Sequence, residues 1–212
     1  MFDHYKSDNK FGRLSASYNY TMANFTLSEF QKKKIMRVFD MFYDISNDKI
    51  IEWKDFTMAI KKISDIHEWP KGGAQQENAM QTLKLIWEGL KKYADDNQDD
   101  KVTVEEWFKM WTECLKASKE MSDLPPWQVK YMNFMFDVND TSGDDLIDVN
   151  EYTTVYTDYG IPKEQCVEAF NTFSDNGKVK ITRTEFGKLW AEYFLSDDRS
   201  AKGNFLFGPL DF

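Results

Sequence analysis

The sequence predicts an all-α fold of four helix–loop–helix units, arranged in two pairs and packed into one compact globule. A twelve-residue polar stretch recurs along the 212 residues, beginning at positions 44, 95, 140 and 174. On both sides of each stretch, apolar residues recur at i, i+3, i+4 and i+7, which is the spacing of an amphipathic helix. A polar joint over residues 116–126, which ends in two prolines, separates the first two units from the last two.

The third stretch, residues 140–151, has the oxygen spacing of a calcium-binding loop. Side-chain oxygens stand at loop positions 1, 3, 5, 9 and 12, and the residue at position 7 can offer its carbonyl. Ca²⁺ binds six to eight oxygens at about 2.3–2.6 Å, and this is the EF-hand spacing that wraps them around one ion. The expected ligands of this loop are Asp140, Ser142, Asp144, Leu146 through its carbonyl, Asp148 and Glu151.

Two earlier stretches repeat the same frame of oxygens, so the sequence predicts three Ca²⁺ sites. In residues 44–55 the expected ligands are Asp44, Ser46, Asp48, Ile50 through its carbonyl, Glu52 and Asp55. In residues 95–106 they are Asp95, Asn97, Asp99, Lys101 through its carbonyl, Thr103 and Glu106.

The first loop is expected to be the weakest of the three and the most tolerant of Mg²⁺. At position 6, where glycine is usual because the backbone needs a positive φ, the three loops carry Lys49, Asp100 and Asp145. A side chain there costs on the order of 1 kcal/mol. Loop one combines Lys49 with the short Asp55 at position 12, which tends to offer one oxygen where Glu offers two.

The fourth stretch, residues 174–185, is predicted to be a structural loop that binds no ion. Ser174 replaces the acid at position 1, and Lys178 brings an ammonium to a position where a carboxylate should face the ion. Repulsion between this ammonium and a cation outweighs what Asn176 and Glu185 could offer. A capping box formed by Thr182 and Glu185 accounts for the glutamate without a metal.

The helices follow from apolar stripes and capping signals. The first helix is expected near Ser28, because Thr26 with Glu29 and Ser28 with Gln31 fit a capping box. The predicted stripes of the eight helices are, in order, Ile35, Val38, Phe39 and Phe42; Phe56, Ala59, Ile60 and Ile63; Leu83, Ile86, Trp87 and Leu90; Trp107, Met110, Trp111 and Cys114; Trp127, Tyr131, Phe134, Met135 and Val138; Tyr152, Val155, Tyr156 and Tyr159; Cys166, Ala169, Phe170 and Phe173; and Phe186, Leu189, Trp190 and Tyr193.

Short β bridges are expected between paired loops, because the inward residue at position 8 of each loop can meet its neighbour. This pairs Ile51 with Val102 and Ile147 with Ile181. The predicted organisation is an N-terminal arm, two pairs of units and an apolar tail that packs between the halves. Their ranges are 1–25, 26–118, 119–195 and 196–212.

The amino-acid composition argues against several classes of binding partner. The formal net charge of −9 argues against nucleic acid as the main partner, and no apolar run reaches the length of a membrane helix. Cys114 and Cys166 lie on apolar helix faces, where buried reduced thiols are expected. The first 25 residues lack the apolar core of a signal peptide. We therefore expect a cytosolic monomer that binds calcium.

Several segments resemble the sarcoplasmic calcium-binding proteins of invertebrates, a family that includes calexcitins. The similarity runs from about residue 22 to the end and is carried by residues 51–53, 83–87, 131–137 and 196–199. The resemblance implies a compact fold, three Ca²⁺ sites, cytosolic residence and an association with neuronal calcium signalling. Lys49 and Glu185 depart from the family pattern at positions 6 and 12 of their loops.

Four functions remain open at this point. A buffer would bind Ca²⁺ and stay closed, whereas a sensor would open a groove for an unidentified protein target. A carrier of a small apolar ligand is a further possibility, because the seven tryptophans could line a cavity. An enzyme is the least favoured, since His4 and His67 are isolated and no nucleophile–base pair is evident.

Overall fold

The computed structural model describes residues 26–210. The arm expected at residues 1–25 and the last two residues, which include Phe212, lie outside this part. The described elements are α1 (Glu29–Val38), a π-helical turn (Phe39–Tyr43), β1 (Ile50–Ile51), α2 (Trp53–Ile66), α3 (Ala74–Ala94), β2 (Val102–Thr103), α4 (Val104–Ala117), a 3-10 turn (Met121–Asp123), α5 (Pro126–Asn139), β3 (Leu146–Ile147), α6 (Val149–Asp158), α7 (Lys163–Phe173), β4 (Ile181–Thr182), α8 (Arg183–Leu195) and a second 3-10 turn (Lys202–Phe205).

The helix starts follow the capping signals of the sequence. The Ser28 hydroxyl accepts from the Gln31 amide, and the Gln31 side chain accepts from the Ser28 amide, so this capping box is confirmed. Thr103 and Glu106 form the same reciprocal pair at the start of α4. Pro126 occupies the first turn of α5, where its missing N–H costs no hydrogen bond.

One feature at the end of α1 was not predicted. The chain widens there into a π-helical turn, in which the Asp44 amide donates to the Phe39 carbonyl at 2.9 Å. Such a turn adds a residue to the helical repeat and changes the phase of the apolar stripe. Tyr43, which the 3.6-residue period leaves out of the stripe, is consequently buried next to loop one.

The two pairs of loops meet in the predicted antiparallel bridges. Ile51 is opposite Val102, and Ile147 is opposite Ile181. All four side chains are nearly inaccessible to solvent, so each bridge is both a hydrogen-bonded link and part of the core. This register confirms that the inward residue at position 8 joins the loops of each pair.

Aromatic side chains join the first two units to the last two. Trp111 of α4 stacks on Phe194 of α8, with ring centroids 4.7 Å apart and planes 3° apart. Trp127 of α5 crosses α3 so closely at Gly89 that a Cβ there would lie 2.5 Å from the Trp127 Cβ. Any side chain at Gly89 would therefore separate the two helices.

Residues 196–210, here called the tail, lie across both halves as an irregular strip that contains the second 3-10 turn. The Phe207 carbonyl accepts from Arg37 of α1, and the Tyr152 hydroxyl of α6 accepts from the Gly208 amide. Leu206 and Phe207 are fully buried, whereas Phe205 and Leu210 are half-buried. The tail crosses α8 at Gly203, where a Cβ would lie 2.6 Å from a backbone oxygen.

Both cysteines, Cys114 and Cys166, are free and buried, as the sequence predicts. None of the helices within residues 26–210 is long and apolar enough to cross a membrane.

A buried lysine holds the tail against α1. The Lys34 ammonium donates to the Ser196 carbonyl at 2.7 Å and to the Asn204 side-chain oxygen at 2.9 Å. Only 1% of Lys34 is exposed. Burial lowers its pKa to about 8, although the charges of Asp197 and Glu192 favour the protonated form.

This burial predicts a distinctive pH dependence of stability. Between pH 8 and about 10.5 the unfolded chain binds the Lys34 proton more tightly than the folded chain, so folding gains stability as pH rises. Relative to Lys34→Met, the wild type should gain up to roughly 3 kcal/mol of unfolding free energy across this window. Urea unfolding of both proteins at a series of pH values measures the difference. Parallel pH profiles would show that burial does not lower the pKa of Lys34.

Candidate metal-binding loops

Three of the four loops share one backbone course, with left-handed residues at positions 4 and 6. The values of φ are 63° and 66° at Asn47 and Lys49, 60° and 61° at Gln98 and Asp100, and 73° and 62° at Gly143 and Asp145. The positive φ expected at position 6 is therefore present in all three loops, although none carries glycine there. Lys49 is the least suited to this conformation, because it lacks the short polar side chain that lets aspartate tolerate it.

The carboxylate at position 1 fixes this course by accepting the amides of positions 5 and 6. In loop three, Asp140 accepts from the amides of Asp144 and Asp145 at 3.1 and 3.0 Å, and also from Gly143. Asp44 and Asp95 accept the corresponding pairs of amides in loops one and two, at 3.0–3.2 Å. At position 5, Asp48, Asp99 and Asp144 each accept the amide of position 7.

The carboxylate at position 12 ties the exiting helix to the beginning of its loop. Glu151 accepts from the amides of Ser142 and Asp148, both at 2.9 Å. Asp55 accepts from the matching amides of Ser46 and Glu52, both at 2.8 Å, although its side chain is one methylene shorter. In loop two, Glu106 accepts from Asp96 at 3.3 Å and Thr103 at 2.9 Å.

The donor set of these three loops suits Ca²⁺, although their acids are not gathered into a cluster. Among residues 26–210, no three His, Cys, Asp or Glu side chains come together in an arrangement that could hold a metal ion. The fit rests instead on the number of oxygens and on a loop already curved by its own amides. Within residues 26–210, the buried Ser46 hydroxyl at position 3 makes no well-formed hydrogen bond, although it lies near the Asp48 carboxylate.

Loop four has a different backbone conformation. Its left-handed residues are Asp175, Asn176 and Gly177, at positions 2 to 4. Among the described residues, the Ser174 hydroxyl accepts only the Gly177 amide, and Lys178 lies 3.5 Å from the Asp175 carboxylate. At position 12, Glu185 pairs with Lys188 at 2.8 Å. Half of the expected capping box is present, because the Thr182 hydroxyl accepts the Glu185 amide.

The loops also differ in the cations around their expected ligands. In loop one, Lys54 pairs with Asp48 and Glu52, and Lys101 of loop two pairs with Glu52 at 3.2 Å. These contacts lower the pKa of both carboxyls, with Lys54 as the largest cause in each case. Within residues 26–210, none of the carboxylates expected as ligands in loops two and three forms an ion pair. The lysines beside loop two pair instead with Asp96 and Asp100.

Comparison with known proteins shows which family the chain belongs to. Sarcoplasmic calcium-binding proteins I, III and IV of Branchiostoma lanceolatum are 31% identical over 182 residues, which is 86% of this chain and 98% of theirs. Calexcitin-1 of Caenorhabditis elegans is 33% identical over 187 residues, covering 86% of this chain and 88% of its own length. The chain belongs to the sarcoplasmic calcium-binding protein family. No protein-family model matches it.

Solved structures agree with this assignment and confirm the all-α fold. The amphioxus sarcoplasmic calcium-binding protein superposes with a TM-score of 0.74 at 29% identity, over 85% of this chain and 98% of the amphioxus chain. A coelenterazine-binding protein from Renilla muelleri superposes with a TM-score of 0.59 at 20% identity, which shows a shared fold alone.

Proposed function

We propose that this member of the sarcoplasmic calcium-binding protein family binds three Ca²⁺ ions, one in each of loops one to three. The observation that carries the proposal is a hydrogen-bond pattern common to these loops. In each loop the carboxylates at positions 1, 5 and 12 accept hydrogen bonds from backbone amides of the same loop. Loop four, which is fully described, departs from that pattern at positions 1 and 12. A bound Ca²⁺ would offset two of the negative charges concentrated in its loop.

The number of bound ions tests this proposal. Calorimetric titration of the full chain should give three ions, and Glu151→Gln should reduce the number to two, because position 12 is expected to supply two oxygens. Glu185→Gln removes the same charge from the same position of loop four and should leave three. Fewer than three ions in the wild type, or a loss caused by Glu185→Gln, would contradict the assignment.

We propose further that loop one accepts Mg²⁺ more readily than the other two. Asp55 is expected to offer one oxygen, which favours the six-coordination that Mg²⁺ demands. Asp55→Glu should therefore raise the ratio of Ca²⁺ to Mg²⁺ affinity in loop one. Glu106→Asp, the reverse change in loop two, should lower that ratio there. Calorimetric Ca²⁺ titrations with and without Mg²⁺ provide both ratios, and unchanged ratios would show that the length of this side chain does not select the metal.

For the physiological role, we favour a cytosolic calcium buffer that remains closed. Phe207 of the tail occupies the contact region of the halves, with its ring centroid 5.0 Å from Phe42 and 4.6 Å from Tyr193. A groove for a target helix would need apolar surface of this kind. The tail therefore acts as a built-in ligand, and a sensor that exposes a groove is the second candidate.

The same packing gives less support to the remaining functions. A carrier would need space among these aromatic rings, where Phe207 already packs. An enzyme would need a base free to meet a substrate, whereas Nε2 of His67, the one histidine within residues 26–210, contacts the Val138 carbonyl at 2.9 Å.

Removing the tail distinguishes a buffer from a sensor. A chain that ends at Arg199 should bind a hydrophobic dye strongly with Ca²⁺ present, because Leu206 and Phe207 no longer cover the groove. The full chain should bind little dye under the same conditions. Circular dichroism of both proteins checks that the truncated chain keeps its helices. Strong dye binding by the full chain on addition of Ca²⁺ would favour the sensor.

A further inference from the structure

Lys54 lies between two expected ligands of loop one. Its ammonium is 2.6 Å from a carboxylate oxygen of Asp48 and 2.6 Å from one of Glu52, which stand at positions 5 and 9. Lys54 is the second residue of α2, and its side chain is 46% exposed. The ammonium thus bridges two oxygens that the proposed Ca²⁺ would also bind.

This arrangement is particular to loop one. Lys54 stands at loop position 11, and the residues at the same position of the other loops are Glu105, Asn150 and Thr184. None of these three can bring a positive charge to its own loop. Loop one therefore differs from the other two proposed sites in two ways: it has a lysine at position 11, and its acid at position 12, Asp55, is shorter.

We propose that Lys54 is an internal competitor for Ca²⁺ that weakens loop one selectively. The ion needs oxygens from Asp48 and Glu52, so the ammonium must leave both carboxylates before they can serve as ligands. Because Lys54 is tethered one residue before Asp55, its effective concentration at the loop is high and does not fall on dilution. The consequence is that loop one fills at a higher Ca²⁺ concentration than loops two and three.

The size of the effect follows from the exposure of the pairs. Each exposed ion pair contributes modestly, because water and salt screen it. Loss of both pairs to Lys54 should raise the affinity of loop one about three- to tenfold at moderate salt. Loops two and three should change by less than about twofold, since their ligands do not contact Lys54.

The test compares Lys54→Met with Lys61→Met in the full chain. Lys61 lies on the same helix, and within the described residues its exposed ammonium pairs only with Asp65, 3.0 Å away. Both variants remove one positive charge, so a general change in net charge affects them equally. The readout is a two-dimensional amide NMR titration with Ca²⁺, which follows each loop through its own residues. The Lys49 amide reports on loop one, because it donates to Asp44.

The inference rests on the proposed binding of Ca²⁺ by loop one, and the titration separates the two. Tighter binding at loop one in Lys54→Met but not in Lys61→Met supports the competitor, as does near wild-type affinity in Lys54→Arg, which keeps the cation. Equal loop-one affinity in the wild type and Lys54→Met overturns the competitor and leaves the proposed function intact. No response of residues 44–55 to Ca²⁺ in any of these proteins overturns the proposed function of the loop, and the competitor with it.

Discussion

The carboxylate at loop position 1 is the constraint on which the candidate sites depend. In Asp44, Asp95 and Asp140 it accepts the amides of positions 5 and 6, which holds position 6 at a positive φ. The strain of a left-handed lysine or aspartate is offset by these charge-assisted hydrogen bonds. The turn then brings position 8 to its partner loop, and the β bridge sets the two helix–loop–helix units of a pair side by side.

The tail completes the structure by contacts that no single unit could make. Lys34 and Arg37 of α1 hold its carbonyls, Tyr152 of α6 binds its backbone, and Phe207 enters the aromatic core. A calcium sensor would receive its target on an apolar surface that Ca²⁺ exposes. In this chain the surface is covered from within, which is the physical basis for preferring a buffer.

The three proposed sites are similar in backbone and unequal in charge. The expected ligands of loop three accept hydrogen bonds from backbone amides and contact no ammonium group within the described residues. In loop one, Lys54 and Lys101 contact the ligand carboxylates directly. Under the proposed assignment, these differing local cations would make the three sites fill at different calcium concentrations.

The sequence by itself determined the fold class, the helix caps and the bridge of Ile51 with Val102, because local periodicity, capping and loop spacing act over a few residues. It also indicated that loop four differs, since Ser174 and Lys178 are visible as substitutions. Only the tertiary structure decided that Tyr43 turns inward, that Lys34 is buried beneath the tail and that Lys101 reaches Glu52 of another loop. Those contacts join residues 49 to 170 positions apart or follow from a π-helical turn, and their geometry depends on how the units pack.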